Sequence, residues 1–116
     1  MATLVPVLRE ETWRALRAAD GPVVLFKHST ACSQSAAAYR VLRAWCERQG
    51  AAAPLLALVR VREERALSQR IAQETGVRHQ SPQVIVLRGG RAAAVLSHGD
   101  IRPESLSRAL AAGTTA

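Results

Sequence analysis

The two cysteines of the sequence fall in different settings, and only one suits chemistry. Cys32 follows the apolar run 23–26 after a short polar loop, and a long helical pattern begins at it. A helix N-terminus offers free backbone N–H groups and a partial positive charge, which favour the thiolate that attacks disulfides. The spacing therefore predicts Cys32 as the catalytic residue, with Lys27 and His28 as nearby groups that add positive potential. The alternative is an ordinary small buried thiol.

Cys46 is not expected to pair with that thiol. Positions 32 and 46 lie on the same predicted helix, about 21 Å apart along its axis, whereas a disulfide needs Cα atoms within about 7 Å. Cys46 also shares a helix face with Leu42 and Trp45, which predicts a place in the core. Position 35 is serine, so a dithiol mechanism has no second thiol there. The predicted site is therefore a monothiol site.

Two further segments carry candidate binding residues. Ser81-Pro82 stands just before the apolar run 84–87, and cis peptide bonds occur almost only before proline. A cis proline would leave the backbone of Ser81 free to pair with an extended ligand, while a trans proline at the start of a strand is the alternative. Gly99-Asp100 leads into the last predicted helix. Its amides can meet a carboxylate and Asp100 can accept from an ammonium group, or Asp100 can simply cap the helix.

The elements that position these residues alternate along the chain. The predicted helices cover 9–19, 32–48, 63–75 and a segment opening at 102–104, and the predicted strands cover 23–26, 55–61, 84–87 and 92–97, with 4–8 as an edge strand at most. Continuous apolar strands are typical of a sheet buried on both faces, and Gly89-Gly90 suits a hairpin. This order predicts one α/β domain over residues 1–116. It is the thioredoxin-like arrangement, with a central mixed sheet of about four strands flanked by helices on both faces.

Composition excludes several other classes of protein. Sixteen Lys and Arg against nine Asp and Glu give a net charge of +7, which favours anionic partners. Aromatic residues make up only 3% and the arginines are scattered, so nucleic-acid binding is not expected. No apolar run approaches the roughly 18 residues of a membrane span. The early charges do not suit a signal peptide either, so the cytoplasm is the expected compartment and no membrane partner is predicted. The dispersed histidines predict no metal site.

The chain resembles the YtxJ-type monothiol bacilliredoxin family over almost its whole length, from about Trp13 to Leu106, and three segments carry the resemblance. They are Val24–Ser35, Thr75–Gln83 and Ser97–Ile101. The resemblance implies a thioredoxin fold and a cytosolic redox role, without a permanently bound cofactor. It also implies bacillithiol, a low-molecular-weight thiol built from cysteine, glucosamine and malate, as co-substrate. By this resemblance Cys32 attacks mixed disulfides on bacillithiolated client proteins, and Pro82 is the cis proline beside it.

The predicted substrate-binding residues lie in the loops around Cys32. They are Lys27, His28, Ser33, Ser35, Ser81, Pro82, Gly99 and Asp100. Family members usually carry Thr-Cys-Pro-Ile-Ser at the site, whereas this chain has Ala-Cys-Ser-Gln-Ser over 31–35, and Gly99 stands where an aromatic residue is expected. These departures keep a second hypothesis open, a non-catalytic thioredoxin-like module that binds proteins.

Overall fold

The computed structural model describes residues 4–111, and its elements follow the predicted order. The strands are β1 (Leu4–Pro6), β2 (Val23–His28), β3 (Leu55–Arg60), β4 (Gln83–Arg88) and β5 (Arg91–Ser97), and the helices are α1 (Glu10–Arg17), α2 (Ser33–Arg48), α3 (Arg65–Thr75) and α4 (Pro103–Ala111). Short 3₁₀ turns occupy Gly50–Ala52 and His98–Asp100. None of the helices within 4–111 is long and apolar enough to cross a membrane.

The sheet has five strands in the order β1-β3-β2-β4-β5. The first three of these strands run parallel to one another, whereas β4 is antiparallel to β2 and β5 is antiparallel to β4. The prediction of about four strands was one short, because the segment 4–6 does pair with β3. Pro6 is tolerated because β1 is an edge strand, and Val7 directly after it donates its N–H to the Leu58 oxygen at 2.8 Å.

Strand β2 is buried on both faces, as its continuous apolar run predicts. Val24 and Phe26 pack in the core formed with α2 and α4. Val23 and Leu25 pack in the opposite core, formed with α1 and α3. Helices therefore cover both faces of the sheet, and successive side chains of β2 point to different helix layers.

Three helices begin later than the sequence pattern predicts, α1 at Glu10 rather than at position 9, and the shifts of α2 and α3 shape the loops at one end of the sheet. Helix α2 begins at Ser33, because Cys32 keeps an extended backbone with φ −116° and ψ 123°. Helix α3 begins at Arg65, because Glu64 is not helical. The Glu64 carboxylate accepts hydrogen bonds from both the backbone N–H and the guanidinium of Arg60, at 2.7–3.1 Å. These bonds hold the turn between β3 and α3 in place.

Candidate active site

Cys32 occupies the N-cap position of α2 and is partly exposed. Its backbone N–H donates to the Ser29 oxygen at 3.2 Å, and its carbonyl accepts from the Ala36 N–H at 3.1 Å. Its side chain makes no capping hydrogen bond, and the first turn of α2 contains no acidic residue. Cys32 therefore stands partly exposed at the N-terminal end of a 16-residue helix, whose first N–H groups carry a partial positive charge.

Ser35 holds the loop that carries Cys32. Its hydroxyl oxygen accepts the Ser29 N–H at 2.9 Å and lies 2.8 Å from Nδ1 of His28. Its exposed fraction is 0%. The structure therefore corrects the prediction that Ser35 contacts substrate, because the side chain is enclosed and its hydrogen bonds are made within the protein.

His28 is a neutral ring in an aromatic stack rather than a source of positive charge. Its ring centroid lies 5.3 Å from that of Phe26 and 5.4 Å from that of Tyr39. Burial lowers the pKa of His28 below its usual 6.5, although the charge of Glu63 opposes the shift. At neutral pH the imidazole is therefore an uncharged polar ring beside the loop of Cys32, and it does not supply the predicted positive charge.

Lys27 is placed on the other face of the sheet, and its prediction as a substrate contact is wrong in this structure. The side chain is fully buried, and its Nζ lies 3.1 Å from the Ser68 oxygen and 3.2 Å from Nδ1 of His79. Burial lowers the pKa of Lys27 to about 8, so the ammonium form still dominates at neutral pH. The physical reason is strand alternation, which turns Lys27 towards α3 while α2 packs on the opposite face.

The peptide bond between Ser81 and Pro82 is cis, which confirms that prediction. Pro82 directly precedes β4, and Gln83 of β4 pairs with Lys27 of β2. The proline therefore lies at the end of the sheet from which the loop of the reactive cysteine departs. The Ser81 hydroxyl oxygen is buried, with no hydrogen-bond partner among residues 4–111.

The turn His98–Asp100 flanks the same proline. The His98 N–H donates to the Pro82 oxygen at 3.0 Å, and both Gly99 and Asp100 are exposed. Helix α4 begins only at Pro103, so Asp100 does not cap it. Ser33 is likewise exposed, at the start of α2. The contacts of Ser33, Gly99 and Asp100 with a substrate stay predictions.

Cys46 lies in the core, as its helix face predicts. Its exposed fraction is 0%, and it packs in the same cluster as Leu42 and Trp45. Burial raises the pKa of its thiol to about 11. Cys32 and Cys46 are both free, and only Cys32 can meet a dissolved thiol.

A basic cavity beside α3 is the feature that the sequence did not reveal. It has a volume of about 470 Å³. Its walls are formed by Val61, Arg62, Arg65, Ser68, Gln69 and His79. Thr30 connects its rim to the loop of Cys32 by donating a hydrogen bond to Glu63 at 2.9 Å, and this bond lowers the pKa of the Glu63 carboxyl. Three separate segments meet here, and no local pattern in any one of them marks the cavity. Within 4–111 no group of three His, Cys, Asp or Glu side chains is placed to hold a metal ion.

Comparisons with known proteins agree with this geometry. One solved structure, described as having a thioredoxin fold, is 30% identical over 92% of this chain and 93% of that chain, with a TM-score of 0.83. Thioredoxin from Trypanosoma brucei brucei is 18% identical over 94% of this chain and 88% of its own, with a TM-score of 0.75. Thioredoxin from Malassezia sympodialis is 17% identical over 96% and 90%, with a TM-score of 0.70. The similarity to these last two structures supports the fold alone.

The family comparison covers nearly all of the described chain. The family model for monothiol bacilliredoxin BrxC matches residues 7–106, a span that contains the reactive cysteine, the cis proline and the turn beside it. The thioredoxin fold and an accessible thiol at a helix N-terminus support a thiol redox role. The protein therefore belongs to the monothiol bacilliredoxin family.

Proposed function

We propose that the protein is a monothiol thiol–disulfide oxidoreductase that removes bacillithiol, or another low-molecular-weight thiol, from mixed disulfides on client proteins. The observation that carries this proposal is the contrast between its two thiols. Cys32 is partly exposed at a helix N-terminus, whereas Cys46 is enclosed in the core. One thiol therefore performs the exchange without a resolving cysteine from the same chain.

The proposed reaction has two exchange steps. The Cys32 thiolate attacks the bacillithiol sulfur of the mixed disulfide, a new S–S bond forms, and the client leaves as a thiolate that takes up a proton from water. Bacillithiol is then joined to Cys32. A second thiolate from solution attacks the bacillithiol sulfur, which releases the Cys32 thiolate and forms a disulfide between bacillithiol and that second thiol. Electrons pass from the dissolved thiols to the client, and the enzyme ends unchanged.

The surrounding residues support this reaction by position. The N-terminus of α2 stabilises the Cys32 thiolate both before attack and when it is the leaving group. The backbone beside Pro82 can pair with an extended client segment in the manner of an added strand. Asp100, exposed on the turn that contacts Pro82, can accept from the ammonium group of the small thiol. The reducing cytoplasm, where thiols regenerate the enzyme, is the compartment that suits this cycle.

The test is intact-mass measurement after incubation with bacillithiol disulfide. Wild type and Cys46→Ala should each gain one bacillithiol, and Cys32→Ser should gain none. In a separate reaction the three proteins in their reduced form are given a bacillithiolated client peptide, and only the first two should release the free peptide. An adduct on Cys46 with none on Cys32 would overturn the assignment. A Cys32 pKa near the free value of about 8.5, with slow alkylation, would instead favour the non-catalytic binding module.

A further inference from the structure

The basic cavity has unpaired cations at its mouth. Arg62 and Arg65 form part of its wall and are exposed. No ion pair within residues 4–111 involves either guanidinium, and no acidic side chain is among the cavity walls. Of the neighbouring carboxylates, Glu64 pairs with Arg60, and Glu63 accepts from Thr30 while the nearby charge of Arg62 helps to lower its pKa without forming an ion pair. Two guanidinium groups beside one cavity suit an anionic ligand.

His79 adds a further hydrogen-bond donor to the cavity wall. Behind its wall the Lys27 ammonium lies 3.2 Å from Nδ1 of His79. An ammonium group can only donate, so Nδ1 is the acceptor and the proton of the neutral ring stands on Nε2. Burial and the charge of Lys27 lower the pKa of His79, which keeps the ring neutral near pH 7. Lys27 therefore fixes His79 as an N–H donor and contributes positive potential from beneath Ser68, whose carbonyl accepts from Nζ at 3.1 Å.

The cavity lies next to the loop that carries the reactive cysteine. The Val61 N–H donates to the His28 oxygen at 2.9 Å, and Thr30 donates to Glu63 at 2.9 Å. Both bonds join the turn that forms the cavity rim to the loop that ends at Cys32. On its other side, His79 belongs to the loop that leads into the cis proline. These contacts place the cavity next to the loop that carries Cys32.

We propose that the cavity is the subsite for the carboxylate end of the low-molecular-weight thiol, held by Arg62 and Arg65 with His79 as an additional donor. The proposal rests on the function proposed above, and it adds the residues by which the enzyme would recognise its substrate. In bacillithiol the matching group is the malate, whose two carboxylates can each accept a guanidinium fork. The uncharged portions of the thiol need no comparable partner there.

The experiment compares two adducts of the same client peptide. One carries bacillithiol, and the other carries N-acetylcysteamine, which has no carboxylate and no charge. We expect Arg62→Gln and Arg65→Gln each to lower kcat/KM for the bacillithiol adduct by about tenfold, because hydrogen bonds between charged groups are strong when water is displaced. For the uncharged adduct, kcat/KM should change less than about twofold. Arg48→Gln, exposed at the far end of α2, is the matched control and should leave both reactions unchanged.

Each outcome decides between the two proposals. If wild type processes both adducts and the arginine variants lose activity on both equally, or on neither, the carboxylate subsite is wrong while the proposed function stands. If wild type releases the peptide from neither adduct, the proposed function fails and the subsite fails with it. Thermal melts of every variant show whether a loss reflects unfolding, and the uncharged adduct provides the same control within the activity assay.

Discussion

Replacing Ser35 with alanine tests how the loop of the reactive cysteine is held. The serine hydroxyl accepts the Ser29 N–H at 2.9 Å and lies 2.8 Å from Nδ1 of His28. Alanine keeps the helix and almost all of the volume but removes both hydrogen bonds. Ser33 on the same helix is exposed, and its side chain makes no hydrogen bond within 4–111, so Ser33→Ala is the matched control.

The expected cost of Ser35→Ala follows from these contacts. A buried donor left without an acceptor costs about 1–3 kcal/mol. Water can reach the half-buried Ser29 N–H and recover part of this, while alanine gains a few tenths of a kcal/mol in helix propensity. The net loss in the free energy of unfolding should be about 1–2 kcal/mol, which lowers Tm by about 4–8 °C in a domain of this size. Ser33→Ala should stay within about 0.5 kcal/mol of wild type.

Urea unfolding followed by tryptophan fluorescence measures both variants. The two substitutions are chemically identical and lie two positions apart, so their difference isolates the buried hydrogen bonds. Equal midpoints for Ser35→Ala and Ser33→Ala, with equal slopes, would show that the hydroxyl does not stabilise the loop. The account of Ser35 as a positioning residue would then be wrong.

Three further predictions concern the core, the hairpin turn and the buried lysine. Iodoacetamide should label only the active-site thiol of the folded protein, because burial raises the pKa of Cys46 to about 11; a second label found by mass spectrometry before unfolding would contradict this. Gly90→Ala should lower Tm more than Gly89→Ala, because an added Cβ at Gly90 lies 2.9 Å from a backbone oxygen of α1, while at Gly89 it meets nothing within 4 Å. Since both glycines have positive φ, equal losses in thermal melts would mean that the close approach is unimportant. The pKa of Lys27 is lowered from 10.5 to about 8, so above that pH the unfolded chain binds more protons than the folded one at this residue. The stability of wild type relative to Lys27→Met should therefore rise between about pH 8 and 10, and urea titrations showing a fall would refute the shift.

The sequence predicts the architecture well because its signals are local. Apolar runs bounded by turn residues mark β2 and β4, and the Gly89-Gly90 pair marks the hairpin between β4 and β5. The cis form of Pro82 and the core position of Cys46 also follow from neighbouring residues and from family resemblance. Strand β1 is harder to predict because three residues with a proline have little periodicity, and only the partner strand makes them a strand.

The roles of individual site residues are less predictable because they depend on packing between distant segments. Lys27 and His28 are adjacent in sequence, yet strand alternation sends one to α3 and the other to Tyr39 on α2. Which helix covers which face is a property of the whole fold. The basic cavity has the same origin, since Arg62 and His79 meet only after the β3–α3 turn and the loop before β4 take their places.

The enclosure of Cys46 has a kinetic consequence for the proposed cycle. With no internal thiol to release the small molecule from Cys32, the second exchange step is bimolecular. Its rate is then first order in the dissolved thiolate, and the fraction of enzyme carrying an adduct at steady state follows the concentration and pH of the surrounding thiol pool. Turnover would slow as that pool becomes oxidised. The rate of client repair would then be limited by the supply of reducing thiol and not by the chemistry at Cys32.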